Sequence, residues 1–122
     1  MQKKIVINDS ELPIMKVLWK RDGVTSPEIL AQLHGNKSTL KTLLGRLVGR
    51  GAVRVEEITP RAYRYFAAVT EEAYIAGQRK GFLQKVFDGS AEKMLLNFVR
   101  EENISAEDLR RLISQISEVE PS

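Results

Sequence analysis

The stretch from Ser38 to Gly51 combines an apolar stripe with a polar face that contains no acidic residue. The apolar residues recur at helical spacing: Leu40, Leu43, Leu44, Leu47 and Val48. Such spacing predicts an amphipathic helix, which Gly51 ends. The polar face carries short hydroxyl donors, cations and two small residues, which are Ser38, Thr39, Lys41, Thr42, Arg46, Gly45 and Gly49. These types suit close contact with a polyanion that has readable edges, such as the DNA major groove. The alternative is an ordinary solvated face that lacks acids.

Two shorter helices are predicted before this stretch. Asn8-Asp9-Ser10, followed by Glu11 in the first turn, starts a helix that runs to about Asp22-Gly23. Thr25-Ser26-Pro27-Glu28 starts a second helix, which His34-Gly35 ends. A short helix, a brief turn and a helix with a polar outer face together describe a helix-turn-helix.

A β-hairpin is predicted directly after the third helix. Residues 53–56 and 63–66 alternate as strands, and the turn Thr59-Pro60-Arg61-Ala62 joins them. Arg61 lies near the tip and Arg64 lies along the hairpin, where both could contact phosphates or the minor groove. The alternative is that these arginines are simply solvated, and for Arg54 the sequence favours neither interpretation over the other. Tyr63 and Tyr65 are expected to pack on the third helix.

Composition excludes several classes of protein. The chain has 122 residues, of which 43% are hydrophobic and 29% charged, with no cysteine and one histidine, His34. It therefore has no disulfide or thiolate metal site, and no catalytic constellation or phosphate-cradling loop is visible. We expect neither an enzyme nor a bound cofactor or metal. Without a long apolar run or a signal peptide, membrane insertion is not expected and a cytoplasmic location is.

Charge and helix content divide the chain into two parts. Residues 1–70 carry 12 Lys and Arg against 6 Asp and Glu, whereas residues 71–122 carry 7 against 10. The second part predicts three helices, starting at Thr70, Ser90 and Ser105. These helices are rich in apolar residues, but together they are too small to form a stable core by themselves. Their size therefore favours pairing with a second copy of the chain. Alternatively, they extend the first core.

The predicted fold is mainly α, with a winged helix-turn-helix DNA-binding domain at 1–69 and a helical dimerisation domain at 70–122. The candidate dimer contacts are Phe82, Val86, Leu96, Phe98, Leu109, Leu112 and Ile116.

Nearly the whole chain resembles the BlaI/MecI/CopY family of bacterial transcriptional repressors. The matching segments are residues 7–12 with Met15 to Trp19, residues 38–47, Gly51-Ala52, residues 61–65, and Leu96-Asn97-Phe98-Val99 followed by the Leu109 helix. The resemblance implies winged-helix homodimers that bind palindromic double-stranded operators and repress transcription. It also implies that Ser38, Thr39, Lys41, Thr42 and Arg46 lie in the major groove, with Arg61 and Arg64 on the wing.

The branch of the family sets what is expected of regulation. In the β-lactam branch, a membrane sensor metalloprotease is the implied partner, and derepression follows cleavage at an Asn–Phe bond that matches Asn97-Phe98. Copper-branch members carry a C-terminal Cys-x-Cys pair, which this chain lacks. The chain has Gly35-Asn36 where relatives often place a tryptophan, so its operator preference is open. A copper-responsive repressor, or a winged-helix module that binds protein or RNA, is the alternative.

Overall fold

The computed structural model describes residues 5–119, with side chains described as far as residue 116. Residues 1–4, which belong to the N-terminal segment in which no signal peptide is expected, lie outside this range. Within the described residues, six helices and one hairpin follow the predicted order: α1 (Leu12–Lys20), α2 (Ser26–Ala31), α3 (Lys37–Gly49), β1 (Val53–Thr59), β2 (Ala62–Ala67), α4 (Glu71–Phe87), α5 (Ala91–Glu101) and α6 (Ala106–Val119). The mainly α fold with a hairpin wing is therefore confirmed. The chain divides into two compact units within α4, after Ile75.

The core of the first unit is formed by the apolar faces of α1, α2 and α3 with the start of the hairpin. Its fully buried side chains include Ile14, Met15, Leu18, Val24, Ile29 and Leu47. Trp19 is half-buried against this core, and its Nε1 donates to the carbonyl of Val69 at 2.8 Å. Trp19 is thus part of the packing of the first unit.

The start of α1 differs from the prediction. The helix begins at Leu12, and Glu11 occupies the N-cap position without capping it. Its side chain is 0% exposed, because Arg50 and the backbone N–H of Asn8 hold the carboxylate in the interior. The interpretation of Glu11 as a first-turn acid is therefore wrong.

The second helix starts as predicted but ends early. Thr25 and Glu28 form a reciprocal capping box, in which the Thr25 Oγ1 accepts from the Glu28 N–H at 3.4 Å. Hydrogen bonds from the Thr25 hydroxyl and backbone N–H lower the pKa of the Glu28 carboxyl. The helix ends at Ala31, three residues before the predicted His34, because the chain turns at Gln32 to enter α3.

The ends of α3 are defined by side-chain and glycine caps. The Asn36 Oδ1 accepts from the N–H groups of Ser38 at 2.8 Å and Thr39 at 3.2 Å. At the other end Gly51 has φ +82, and the N–H of Ala52 donates to the carbonyl of Leu47 at 3.0 Å. This is a Schellman turn, which a glycine at that position favours, so the predicted helix end is confirmed.

The hairpin pairs antiparallel from Val53↔Ala67 to Thr59↔Ala62, with a bulge at Ile58 and a two-residue turn at Pro60-Arg61. Tyr65 packs against the core, but Tyr63 is 45% exposed. The expectation that both tyrosines pack is wrong for Tyr63, because that residue lies near the tip.

A backbone bridge joins the base of the hairpin to the loop between α1 and α2. Val24 and Tyr65 exchange hydrogen bonds at 3.1 and 2.8 Å. This short third strand was not predicted, since one bridging residue leaves no alternating pattern in the sequence.

The second unit consists of α5, α6 and α4 from Ala76 onward. Ser90 and Ser105 cap α5 and α6 as predicted, accepting from the N–H groups of Lys93 at 3.2 Å and Asp108 at 3.0 Å. An aromatic cluster lies in this unit. Phe82 packs edge-on to Phe87 at 5.7 Å and stacks with Phe98 at 6.5 Å.

Candidate nucleic-acid interface

The outward face of α3 is exposed along its whole length. Leu40, Leu43, Leu44 and Leu47 are buried, whereas Ser38, Thr39, Lys41, Thr42 and Arg46 are all exposed. Neither an aspartate nor a glutamate occurs from Lys37 to Gly49. This face therefore presents hydroxyl groups and cations to a partner. The exposed glycines Gly45 and Gly49 leave its centre free of bulky side chains.

The hydroxyl of Thr42 is already engaged within the helix. Its Oγ1 donates to the carbonyl of Ser38 at 3.0 Å, one turn earlier. The oxygen keeps its lone pairs, so Thr42 can accept a hydrogen bond from a base amino group without breaking this contact. Its methyl group can meet the methyl group of a thymine.

Shallow grooves connect α3 with the start of α2 and with the wing. Ser26 borders three of them. The first runs beside Lys37 and Lys41, the second beside Lys41 and Gly45, and the third beside Arg61. Lys37, Lys41 and Arg61 thus line adjoining grooves that share Ser26, whereas Arg46 borders none of the three. Lys37, which the sequence interpretation did not select, borders the first groove, because it lies one helical turn before Lys41.

The three wing arginines differ in their partners. Arg61 is exposed at the tip with φ +75, and none of the described carboxylates forms an ion pair with it. Arg64 is half-buried and its Nη1 donates to the carbonyl of Gly23 at 2.7 Å. Arg54 pairs with Glu56 and lies over the ring of Phe66, 4.5 Å from its centroid. Arg64 thus ties the wing to the loop before α2, whereas Arg61 forms no ion pair with the described carboxylates, and DNA contact by each of them stays a prediction.

A buried ion pair lies at the end of α3. The Glu11 carboxylate contacts the Arg50 guanidinium, which also donates to the carbonyl of Val6. Burial acts to raise the pKa of Glu11, but the Arg50 hydrogen bond, the Asn8 N–H and the charges of Arg50 and Arg46 together hold it below its usual value. The sequence interpretation missed this pair, since its members are 39 residues apart and no local pattern connects them.

The candidate dimerisation residues are mostly uncovered. Six of the seven are exposed and Leu109 is half-buried; the exposed ones are Phe82 at 43%, Val86 at 52%, Leu96 at 46%, Phe98 at 41%, Leu112 at 50% and Ile116 at 58%. Leu95 at 58% and Ile113 at 60% belong to the same class and were not selected. Asn97 is exposed on α5, beside the stacked Phe98.

The described part of the chain contains neither a metal-ligand cluster nor a membrane-spanning helix. No group of three or more His, Cys, Asp and Glu there is placed to hold a metal ion. None of the helices described is long and apolar enough to cross a membrane.

Known proteins share both the sequence and the fold of this chain. Residues 7–118 match the penicillinase repressor family. The penicillinase repressor of Bacillus licheniformis is 30% identical over 97% of this chain and 94% of its own length. The methicillin resistance regulatory protein MecI of Staphylococcus aureus strain N315 is 25% identical over 90% and 92%. These relatives support the predicted resemblance, including its β-lactam branch.

A solved structure agrees with the winged-helix half. The DNA-binding domain of the repressor BlaI is 31% identical and covers 61% of this chain and 94% of that domain, with a TM-score of 0.53. Proteins of this kind are repressors rather than enzymes, which confirms the expectation that this chain is not an enzyme. The chain belongs to the penicillinase repressor family of DNA-binding transcriptional repressors.

Proposed function

We propose that this protein represses transcription in the cytoplasm as a homodimer bound to a palindromic double-stranded operator. The observation that carries the proposal is the exposed, acid-free face of α3, whose grooves adjoin that of Arg61 on the wing, in a chain of this repressor family. The major groove is wide enough to admit an α-helix, and the wing would then lie against the flanking backbone.

The roles of the α3 side chains follow from their length and place. Ser38 and Thr42 are one turn apart at the centre of the face and are short, so we assign them to base edges. Lys41 and Arg46 are long and flank this centre, which suits contacts with phosphates or guanine edges. Thr39 lies on the Arg46 side. We place Arg61 on the phosphates beside the groove, with Arg64 supporting it through Gly23.

Dimerisation is supported by the exposed apolar residues of the second unit. None of its described side chains is fully buried, although both α5 and α6 are amphipathic. Apolar surface of this kind gains stability by pairing, at roughly 25 cal/mol per Å² removed from water. A second copy of the chain is the occupant that a palindromic operator requires.

Binding assays with two matched variants test the DNA contacts. Thr42→Ala should lower affinity for a palindromic duplex by about 1–3 kcal/mol and leave scrambled duplex binding unchanged. Ser114→Ala, which removes an exposed helical hydroxyl from α6, serves as its control. An unchanged ratio of palindromic to scrambled affinity in Thr42→Ala would contradict the assignment.

The wing is tested by the salt dependence of the same assay. Arg61→Ala should flatten the log–log salt slope by roughly one unit per lost phosphate contact. Arg79→Ala removes an exposed arginine from α4 and should leave the slope unchanged. A parental slope in Arg61→Ala would show that the wing tip stays in solvent. Preferential binding of single-stranded RNA by the parent protein would instead favour the RNA-binding alternative.

Regulation is proposed to follow cleavage between Asn97 and Phe98 by a membrane sensor metalloprotease. A cut there detaches part of α5 and all of α6, which removes Phe98 and the exposed apolar residues of α6 and so weakens the dimer. The bond between Asn97 and Phe98 lies inside α5, and Phe98 stacks on Phe82. The helix must therefore unfold locally before a protease can reach the bond. A chain truncated after Asn97 should sediment as a monomer and lose most operator affinity. If it stayed dimeric with parental affinity, this mechanism would fail.

A further inference from the structure

Arg50 stands at the end of the recognition helix, yet its contacts point into the protein. It is the C-cap residue of α3, one turn after Arg46. Its guanidinium contacts the carboxylate of Glu11 and the carbonyl of Val6. In turn the second carboxylate oxygen of Glu11 accepts from the N–H of Asn8 at 2.9 Å. The segment from Val6 to Glu11 and the end of α3 therefore meet at one ion pair.

We propose that the Glu11–Arg50 pair is a positioning device for DNA recognition, which sets the placement of α3 against α1 and contacts no DNA itself. The inference rests on the proposed function of α3. The Glu11 side chain is fully buried and that of Arg50 is 32% exposed. Turning Arg50 away from Glu11 toward a phosphate would leave Glu11 as an unpaired buried charge, which is strongly unfavourable. Arg50 therefore stays paired when the protein binds DNA.

The pair adds a side-chain attachment at the carboxyl end of α3, beside the Schellman turn and the buried Ala52 that also hold this end. The first turn of α3 is held by the Asn36 cap, and the middle by the buried leucines. Beyond Leu47, the exposed Gly49 offers no side chain for packing. Arg50 is the side chain at this end that joins the helix to the segment that starts α1. Small errors in helix placement weaken base contacts much more than long, flexible phosphate contacts.

The test compares specific and non-specific affinity in full-length variants. The specific probe is a duplex that the parent protein enriches from a randomised palindromic library, and the non-specific probe is its scrambled counterpart. Glu11→Gln weakens the pair with little change of shape, and Glu11→Leu with Arg50→Met replaces both charges by apolar groups. Asp9→Asn is the control, because it removes an exposed carboxylate two residues away with the same change in charge.

If the ion pair positions α3, the variants should show a distinct pattern of specific and non-specific affinities. Both variants should lose about tenfold or more in specific affinity, change non-specific affinity by less than about threefold, and keep the parental salt slope. Asp9→Asn should keep the parental ratio. Circular dichroism at the assay temperature confirms that each variant is folded, and the double variant avoids an unpaired buried charge.

Three results would overturn the inference. A salt slope flattened by about one unit in the double variant would make Arg50 a phosphate contact. Stronger specific binding by Glu11→Gln would mean that the carboxylate withholds Arg50 from DNA. A parental affinity ratio in both variants would leave the pair with a role in stability alone. Failure of the parent protein to enrich any duplex would refute the proposed DNA-binding function instead, so the two failures are distinguishable.

Discussion

Gly23 connects α1 to the wing, and its replacement by alanine offers a sharp test of how the first unit is held together. Its φ is +72, in the left-handed region that costs a residue with a Cβ roughly 1–2 kcal/mol. An added Cβ would lie 3.0 Å from Cε2 and 3.2 Å from Cζ of Phe66. Phe66 would have to move by a few tenths of an ångström, and it is already in contact with Arg54.

The magnitude follows from opposing effects. Displacing Phe66 costs about 1 kcal/mol, the lower end of overpacking, because that ring is only half-buried and can yield. Alanine restricts the unfolded chain and returns about 0.5 kcal/mol. We expect Gly23→Ala to lower the free energy of unfolding by about 2 kcal/mol, or roughly 8–16 °C in midpoint for a domain of this size.

Trp19 makes the measurement selective for the first unit. It is the only tryptophan, and its indole N–H is hydrogen-bonded to Val69 within that unit. Urea unfolding followed by its fluorescence reports this half of the chain. Gly45→Ala is the matched control: the added Cβ meets nothing within 4 Å, so stability should rise by up to about 1 kcal/mol. Equal or greater stability of Gly23→Ala relative to the parent would refute this reasoning.

Three further predictions concern charge, capping and assembly. Folding lowers the pKa of the Glu11 carboxyl, so its contribution to stability is present above the ordinary glutamate value of about 4.3 and is lost as the pH falls through the folded value. In this pH range the urea midpoint of the parent should fall more steeply with decreasing pH than that of Glu11→Gln. Equal pH dependence of the two midpoints would contradict this prediction. Asn36→Ala uncaps two N–H groups of α3 and should cost about 1 kcal/mol, measured by the same unfolding, whereas Asn36→Asp should retain most of it. Ile113→Glu places a charge on the exposed apolar face and should shift sedimentation toward monomer while leaving Trp19 unfolding unchanged; a parental sedimentation profile would exclude Ile113 from the interface.

Local signals predicted most of the fold. The start of α2 follows from Thr25 and Glu28, whose capping box needs only four consecutive residues. The end of α3 follows from Gly51, since a positive φ after a helix favours glycine. The exposed face of α3 follows from the spacing of its leucines. Each of these features is decided by neighbours in the sequence.

What the sequence did not predict depends on contacts across the chain. Glu11 was predicted in the first turn of α1, where acids are favoured, but it lies before the helix with its side chain buried against Arg50. Arg64 was grouped with Arg61 because both lie on the hairpin, yet the carbonyl of Gly23 engages only Arg64. These partners are found only after folding, so no residue spacing predicts them. For the same reason, contacts with bases and with a second copy remain predictions.

The Schellman turn after α3 has a consequence for how such a protein can be altered. Only Arg50, Gly51 and Ala52 separate the helix from β1, and Ala52 is fully buried. An insertion between them would swing the hairpin relative to α3, so the length of this joint is fixed. The turn at Pro60-Arg61 is exposed and should accept added residues. Under the proposed function, operator preference would be altered by exchanging side chains on α3, and contacts flanking the operator by lengthening the wing tip, each change leaving the other element intact.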